Sequence, residues 1–248
     1  MIRGNIKDLK YSEEEVIRKR NNVRAKFITK SLNVNTGKIQ CMSKVDLEIL
    51  FKLYDEEFFQ YYFSENLKRN LTFSLSTRMT NAAGKTMYTR KSKPSEAVIE
   101  VYEIRIGIKF FFQYDLIDRD KIVSGINTVD SLEALQIVFE HELCHLIEFH
   151  IYGESSCKRL RFKIMVNNIF AHTEVHHHLP STKEIISKKY GLTIGQEVSF
   201  IKGNKKYSGF LYRVNKRATV MVNDNKGTYR DGDGNKYAKW YVQFDQLV

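Results

Sequence analysis

Asp130-Ser-Leu-Glu-Ala-Leu-Gln-Ile-Val-Phe-Glu-His-Glu-Leu-Cys-His-Leu-Ile-Glu-Phe149 is the stretch on which the reading of this chain turns. Its apolar residues Leu132, Leu135, Val138, Phe139, Leu143, Leu146 and Ile147 recur at helical spacing. Asp130 followed by Glu133 makes a capping-box start, and Gly153 supplies a stop. Inside this helix lies His141-Glu-Leu-Cys-His145, an HExxH pattern. Positions i and i+4 stack on one face of a 3.6-residue helix, so His141 and His145 can reach one metal ion. Glu142 stands beside them, placed to take the proton of a water that such a metal activates. The pattern reads as the core of a zinc hydrolase, with Zn2+ as cofactor.

The rest of the chain is compatible with that core. Its 248 residues, 42% of them hydrophobic, suffice for one large domain or a medium domain plus a small module. There is no run of 18 apolar residues and no apolar h-region at the N-terminus, so a soluble, cytoplasmic protein with no membrane partner is expected. Three cysteines, Cys41, Cys144 and Cys157, form no C-x-x-C pair, which argues against a disulfide scaffold or a zinc ribbon. The net charge of +11 suits a polyanion such as DNA or another nucleic acid, although no base-reading motif accompanies it.

Working upstream from the motif, residues 97 to 107 alternate as a strand does, as do 85 to 90 and 71 to 78. Asn81-Ala-Ala-Gly84 and a loop around Pro94 join these strands. Ile108 to Tyr114 is a strand or a short helix. Residues 43 to 68 read as one helix with Ser43 as its cap and a broad stripe of Leu47, Leu50, Phe51, Leu53, Tyr54, Phe58, Phe59, Tyr62 and Phe63, the mark of a core element. Residues 12 to 31 give a charged helix, acidic first and basic later, as the helix dipole favours.

Downstream, Arg159 to Ala171 has helical spacing and His172-Thr-Glu-Val-His-His-His178 follows it. All seven histidines thus fall between 141 and 178. His150 lies about 140° around the helix from His145 and is expected at a rim or core edge, and His177 and His178 in solvent. From Gly191 short alternating strands at 197–201, 207–212, 218–222 and 239–244 alternate with turns, which fits a small barrel.

Taken in order, several of these pieces resemble the SprT-like zinc metalloproteases, the group that includes Spartan. They are the aromatic helix ending near Phe63, Ser76-Thr-Arg-Met-Thr80 with Gly84, the strand at 97 to 107, the motif helix, and the Phe162-Lys163 helix ending in Phe170-Ala-His-Thr173. The resemblance covers roughly residues 45 to 180. It implies an α+β, zincin-like fold with a mixed sheet beside the HExxH helix, and cleavage of protein substrates, in some members at DNA. The expected division is an N-terminal helical segment at 1–42, the catalytic domain at 43–188 and an SH3-like or KOW-like β-barrel at 191–248.

One feature departs from the family pattern. The third zinc ligand, usually a histidine at the start of the downstream helix, would fall on Lys158, a poor ligand. Cys157 is the nearest competent group, because a thiolate is favoured both by zinc and by a helix N-terminus. His172 and His176 are the alternatives, sharing a helical face if the helix continues. With the site complete, the expected function is a zinc-dependent endopeptidase with Glu142 as general base. An exposed strand at 97 to 107 would hold an extended peptide by edge pairing. Lys205, Lys206, Arg213, Lys216 and Arg217 in the barrel are candidates for nucleic-acid contact. The alternatives are a catalytically impaired zincin-fold protein that only binds near nucleic acid, for which Lys158 speaks, and hydrolysis of a non-protein amide.

Overall fold

A computed structural model describes residues 6–67, 70–91 and 99–248. The described chain divides into two compact units, one ending at Pro180 and the other running Ser181–Val248. No helix among the described residues is long and apolar enough to cross a membrane.

The first unit opens with α1 (Glu13–Lys30), where Ser12 and Glu15 form a capping box and Val16, Val23 and Phe27 are buried. The N-terminal segment is therefore part of this core. Next come α2 (Lys44–Phe59) and α3 (Tyr62–Asn66). The single helix expected over 43 to 68 is broken at Gln60 and Tyr61, both left-handed (φ 50 and 67). Asp55 stabilises the break: its carboxylate accepts from the N–H groups of Phe63 and Ser64, capping the second piece.

Three strands follow, β1 (Leu71–Ser76), β2 (Gly84–Lys91) and β3 (Ile99–Gly107), in the order β1-β3-β2. β3 runs parallel to β1 and antiparallel to β2. The expected strand at 97 to 107 thus begins at Ile99 among the described residues and is central, paired on both sides. It cannot hold a peptide by edge pairing, and β2 is the edge strand beside the motif helix. Residues around Pro94 and positions 97 and 98 lie outside the described residues. Along β3, Tyr102, Ile104 and Ile106 are buried, the alternation of a strand with one face on the core.

Ile108 to Tyr114 resolves as the short helix α4 (Lys109–Phe112) with a 3-10 turn behind it. A hairpin absent from the sequence reading follows: β4 (Lys121–Val123) and β5 (Ile126–Thr128). Its turn is Ser124-Gly125, with φ of 51 and 83, the positive pair that a two-residue hairpin loop needs. A Cβ on Gly125 would also fall 1.9 Å from Thr173 Oγ1, so this glycine serves both the turn and a close contact.

The motif helix is α5 (Ser131–Tyr152), capped by Asp130, whose side chain accepts from Glu133 N–H, and ended by left-handed Gly153. Most of its side chains are buried. Phe139 and Leu143 pack with Tyr54 and Phe58 of α2 and with Phe162 and Phe170 of α6 (Leu160–Phe170) in one core. Buried charge crosses that core: Arg20 of α1 donates to both oxygens of Glu140 (2.8 and 2.7 Å), and Tyr54 Oη donates to Glu140 at 2.8 Å. Burial alone would raise the Glu140 carboxyl, but the Arg20 charge and hydrogen bonds from His172 and Arg20 bring it down to about 2.

The second unit begins with α7 (Thr182–Tyr190), most of which falls within the 43–188 expected for the catalytic domain, but whose Ile186 packs into the second core. Strands β6 (Glu197–Lys202), β7 (Lys205–Val214), β8 (Ala218–Asn223), β9 (Tyr229–Arg230) and β10 (Lys236–Val242) form one antiparallel sheet, order β6-β7-β8-β10-β9. Val198, Phe200, Leu211, Val214, Val220 and Val242 are among its buried residues. Val248 exchanges two backbone hydrogen bonds with Ser199, returning the C-terminus to β6. β9 was not anticipated.

Replacing Arg20 with Met leaves Glu140 buried without its guanidinium. That change is expected to lower unfolding free energy by about 3–5 kcal/mol, read from urea denaturation, while Arg20→Met with Glu140→Leu recovers most of the loss.

Candidate metal centre

α5 brings His141, Glu142 and His145 to a cleft of about 400 Å³, also lined by Ala83 and Gly84 before and on β2, by Ser155 and Cys157 after α5, and by His176 and His177. The Nε2 atoms of His141 and His145 are 3.2 Å apart. Two nitrogens about 2.0–2.1 Å from one tetrahedral ion stand roughly 3.4 Å apart, so this spacing suits a shared cation. Both rings lie against Phe162, at centroid distances of 4.9 and 4.3 Å. Cys157, half-buried, completes a set in which the ligand atoms of His141, His145 and Cys157 all lie within 4.8 Å of one another.

A chain of hydrogen bonds fixes which nitrogen His145 offers. Ser155 Oγ donates to Glu148 Oε2 at 2.7 Å, so its contact with His145 Nδ1 at 2.6 Å must be one in which Nδ1–H donates. Nε2 is then the lone-pair nitrogen turned to the cleft. Glu148, fully buried, is held in turn by Arg161 Nε (2.6 Å) and the Ser156 N–H (3.2 Å). Among the described residues His141 has no such support, and its buried Nδ1 has no hydrogen-bond partner.

Glu142 sits in a seat built by β2. The Thr86 hydroxyl is 2.7 Å from Oε2 and 2.9 Å from the main-chain oxygen of Glu142. A Cβ on Gly84 would lie 2.6 Å from Oε1, so only glycine lets the carboxylate lie over the strand. Burial raises the Glu142 carboxyl to about 7 against the Thr86 hydrogen bonds. The geometry agrees with a bound proton, since one hydroxyl hydrogen cannot serve both oxygens. A protonated Oε2 donates to Thr86, which then donates to the carbonyl. Burial lowers His141 to about 2, with further lowering from neighbouring imidazoles. It lowers His145 to about 4, against the Glu148 charge. Both rings are therefore neutral near pH 7, as metal ligands must be.

The other expected residues separate clearly. Lys158, at the family's ligand position, is exposed. His172 does not reach the cleft: it is buried and its Nε2 is 2.9 Å from Glu140 Oε2, a donor to that carboxylate. The helix expected to align it with His176 ends at Phe170, and Ala171 is left-handed. His176 lines the cleft but falls outside the three-residue ligand group. His177, expected in solvent, is half-buried: it pairs with Val123 as a β-bridge and its Nε2 accepts from the Ala83 N–H at 3.1 Å. His178 is exposed, and His150 packs edge-on against Tyr62 and Tyr102 at the core edge. Lys205, Lys206, Arg213, Lys216 and Arg217 are exposed on the second unit.

Glu148, Ser155 and Thr86 are not among the residues the sequence points to, and Gly84 enters there as part of a turn and of the SprT-like resemblance. The Ser155-Ser156 pair before Cys157, a possible helix-entry signal, was the available hint for the first two; nothing local announces Thr86.

A raised carboxyl pKa stabilises the fold below the unfolded value near 4.5, and that contribution is lost as pH rises through about 7. Without metal, the protein is accordingly expected to lose up to about 3 kcal/mol relative to Glu142→Gln between pH 5 and 8. Urea melts across that range check the slope. Parallel curves for the two proteins would contradict it.

No curated protein and no solved structure matches the chain. A match to the SprT-like family spans residues 47–184, more than half of the sequence, and includes every residue that lines the cleft. With that span and the HExxH helix at its centre, the chain belongs to the SprT-like family.

Proposed function

We propose that this protein is a zinc-dependent endopeptidase of the SprT-like type that acts on proteins gathered on nucleic acid. The observation that carries the peptidase assignment is the meeting of His141, His145 and Cys157 with Glu142 in one cleft bordered by an edge strand. Family membership supports the metallopeptidase class.

In this reading His141 Nε2, His145 Nε2 and the Cys157 thiolate hold the ion. Zinc, when bound, supplies a Lewis acid that polarises a carbonyl and makes a water acidic enough to act near neutral pH. With a cation beside it Glu142 would be ionised: Oε2 would then accept from the Thr86 hydroxyl, which leaves Oε1 to receive the proton of the attacking water and pass it to the leaving amine. β2, with no strand on its outer side among the described residues, offers main-chain groups to an extended peptide. Phe149 and Val175 add apolar lining near that edge.

The catalytically impaired alternative rested on Lys158. That residue is exposed and its neighbour Cys157 faces the histidines, so the alternative loses its main support. A cytoplasmic setting would keep Cys157 reduced, in line with three free cysteines. The basic surface, with Lys205, Lys206, Arg213, Lys216 and Arg217, supports a polyanion partner.

Glu142→Gln is expected to bind zinc in the wild-type ratio yet cleave an unfolded protein substrate a hundred- to ten-thousandfold more slowly. Zinc content by atomic emission and cleavage by gel report the two halves separately. Unchanged cleavage in the variant, or no zinc in either protein, would reject the assignment.

A further inference from the structure

The sheet of the second unit has two unlike faces, and both are aromatic. Phe200, Tyr207 and Trp240 stack together on the inner face with the buried valines and Leu211. On an antiparallel sheet with one packed face, the other normally carries polar residues. Here the alternation places Phe210 and Tyr212 of β7 and Tyr237, Lys239 and Tyr241 of β10 outward, with Tyr229 paired to Tyr237 from β9. Tyr241, Tyr212 and Tyr229 are 65%, 48% and 42% exposed, large aromatic surface left to solvent.

Cations are interleaved with these rings. Lys239 Nζ lies 3.8 Å from the ring centre of Tyr229. The Arg213 guanidinium lies 5.8 Å from the Tyr212 ring. A register shift between Leu211 and Arg213 sets this part of β7 apart from the regular ladder. Charge points to the occupant: residues 181–248 hold thirteen Lys and Arg against six Asp and Glu, +7 of the chain's +11. Such a balance favours a polyanion over an uncharged or basic peptide.

We propose that this outer face, through Tyr212, Tyr229 and Tyr241 with Lys239 and Arg213, binds single-stranded nucleic acid by stacking unpaired bases on the tyrosine rings while the cations meet phosphates. A duplex hides its base faces within the helix, whereas a single strand presents them to aromatic side chains. The side chains on β10 recur every second residue, roughly 7 Å apart, a spacing that splayed bases can follow. The assignment rests on the proposed association with nucleic acid and narrows it to a strand form and a set of contacts.

The test is fluorescence anisotropy of labelled oligo(dT), twenty nucleotides long, and of its duplex with oligo(dA), titrated with the full-length protein. Binding of the single strand at least tenfold tighter than the duplex is expected. Tyr212→Ala and Tyr241→Ala are each expected to weaken it on the order of tenfold, while Tyr241→Phe, which keeps the ring, changes it by less than about twofold. Lys239→Gln should lower the slope of log affinity against log salt by about 0.7. Equal affinity for duplex and single strand would overturn the proposal. So would alanine variants that bind as tightly as wild type, or binding of a proline-rich peptide without binding of oligo(dT). Because no cleavage is measured, failure here leaves the peptidase assignment standing, and an inactive peptidase leaves this result unaffected.

Discussion

Helix α5 is buried over most of its length and yet carries five carboxyl or imidazole side chains in nine residues: Glu140, His141, Glu142, His145 and Glu148. Burial without a partner would cost each of them several kcal/mol or force it neutral. Several neighbouring elements answer these demands. Arg20 of α1 and His172 beyond α6 meet Glu140. Thr86 of β2 meets Glu142. Ser155 and Arg161 meet Glu148, and through Ser155 they meet His145. The packing of the first unit and the geometry of its cleft are consequences of the same requirement.

The two classes of demand are resolved differently. Glu140 is met by a full positive charge in bidentate geometry and remains ionised, a structural tie between helices distant in sequence. Glu142 is met only by a hydroxyl, so burial wins and its carboxyl rises to about 7. A group with that value near neutral pH is suited to exchange protons, whereas Glu140 is not. Among the described residues nothing answers the outer nitrogen of His141, which is oriented by packing against Phe162.

What the sequence made legible was local. The HExxH spacing, the Asp130 and Gly153 caps and the alternation of the strands are set by neighbours a few residues apart, and they appear where expected. Cys157 was reachable because ligand chemistry and position both favoured it. His172 was not, since its partner Glu140 is 32 residues away and only the folded chain shows that this histidine answers a buried carboxylate. Alternation could not say that β3 would be central and β2 the edge, because strand order is a long-range property. The break at Gln60-Tyr61 was hidden for a different reason: neither residue is the glycine that usually marks a left-handed position. Ser124-Gly125, by contrast, was a readable hairpin signal that went unread.

In the proposed site one cation is held by two imidazole nitrogens of α5 and the sulfur that follows it. Zinc-edge X-ray absorption of the metal-loaded protein measures this shell directly. One sulfur at about 2.3 Å with nitrogen at about 2.0–2.1 Å is predicted, the sulfur disappearing in Cys157→Ser. A shell of nitrogen and oxygen alone in the wild-type protein would contradict it.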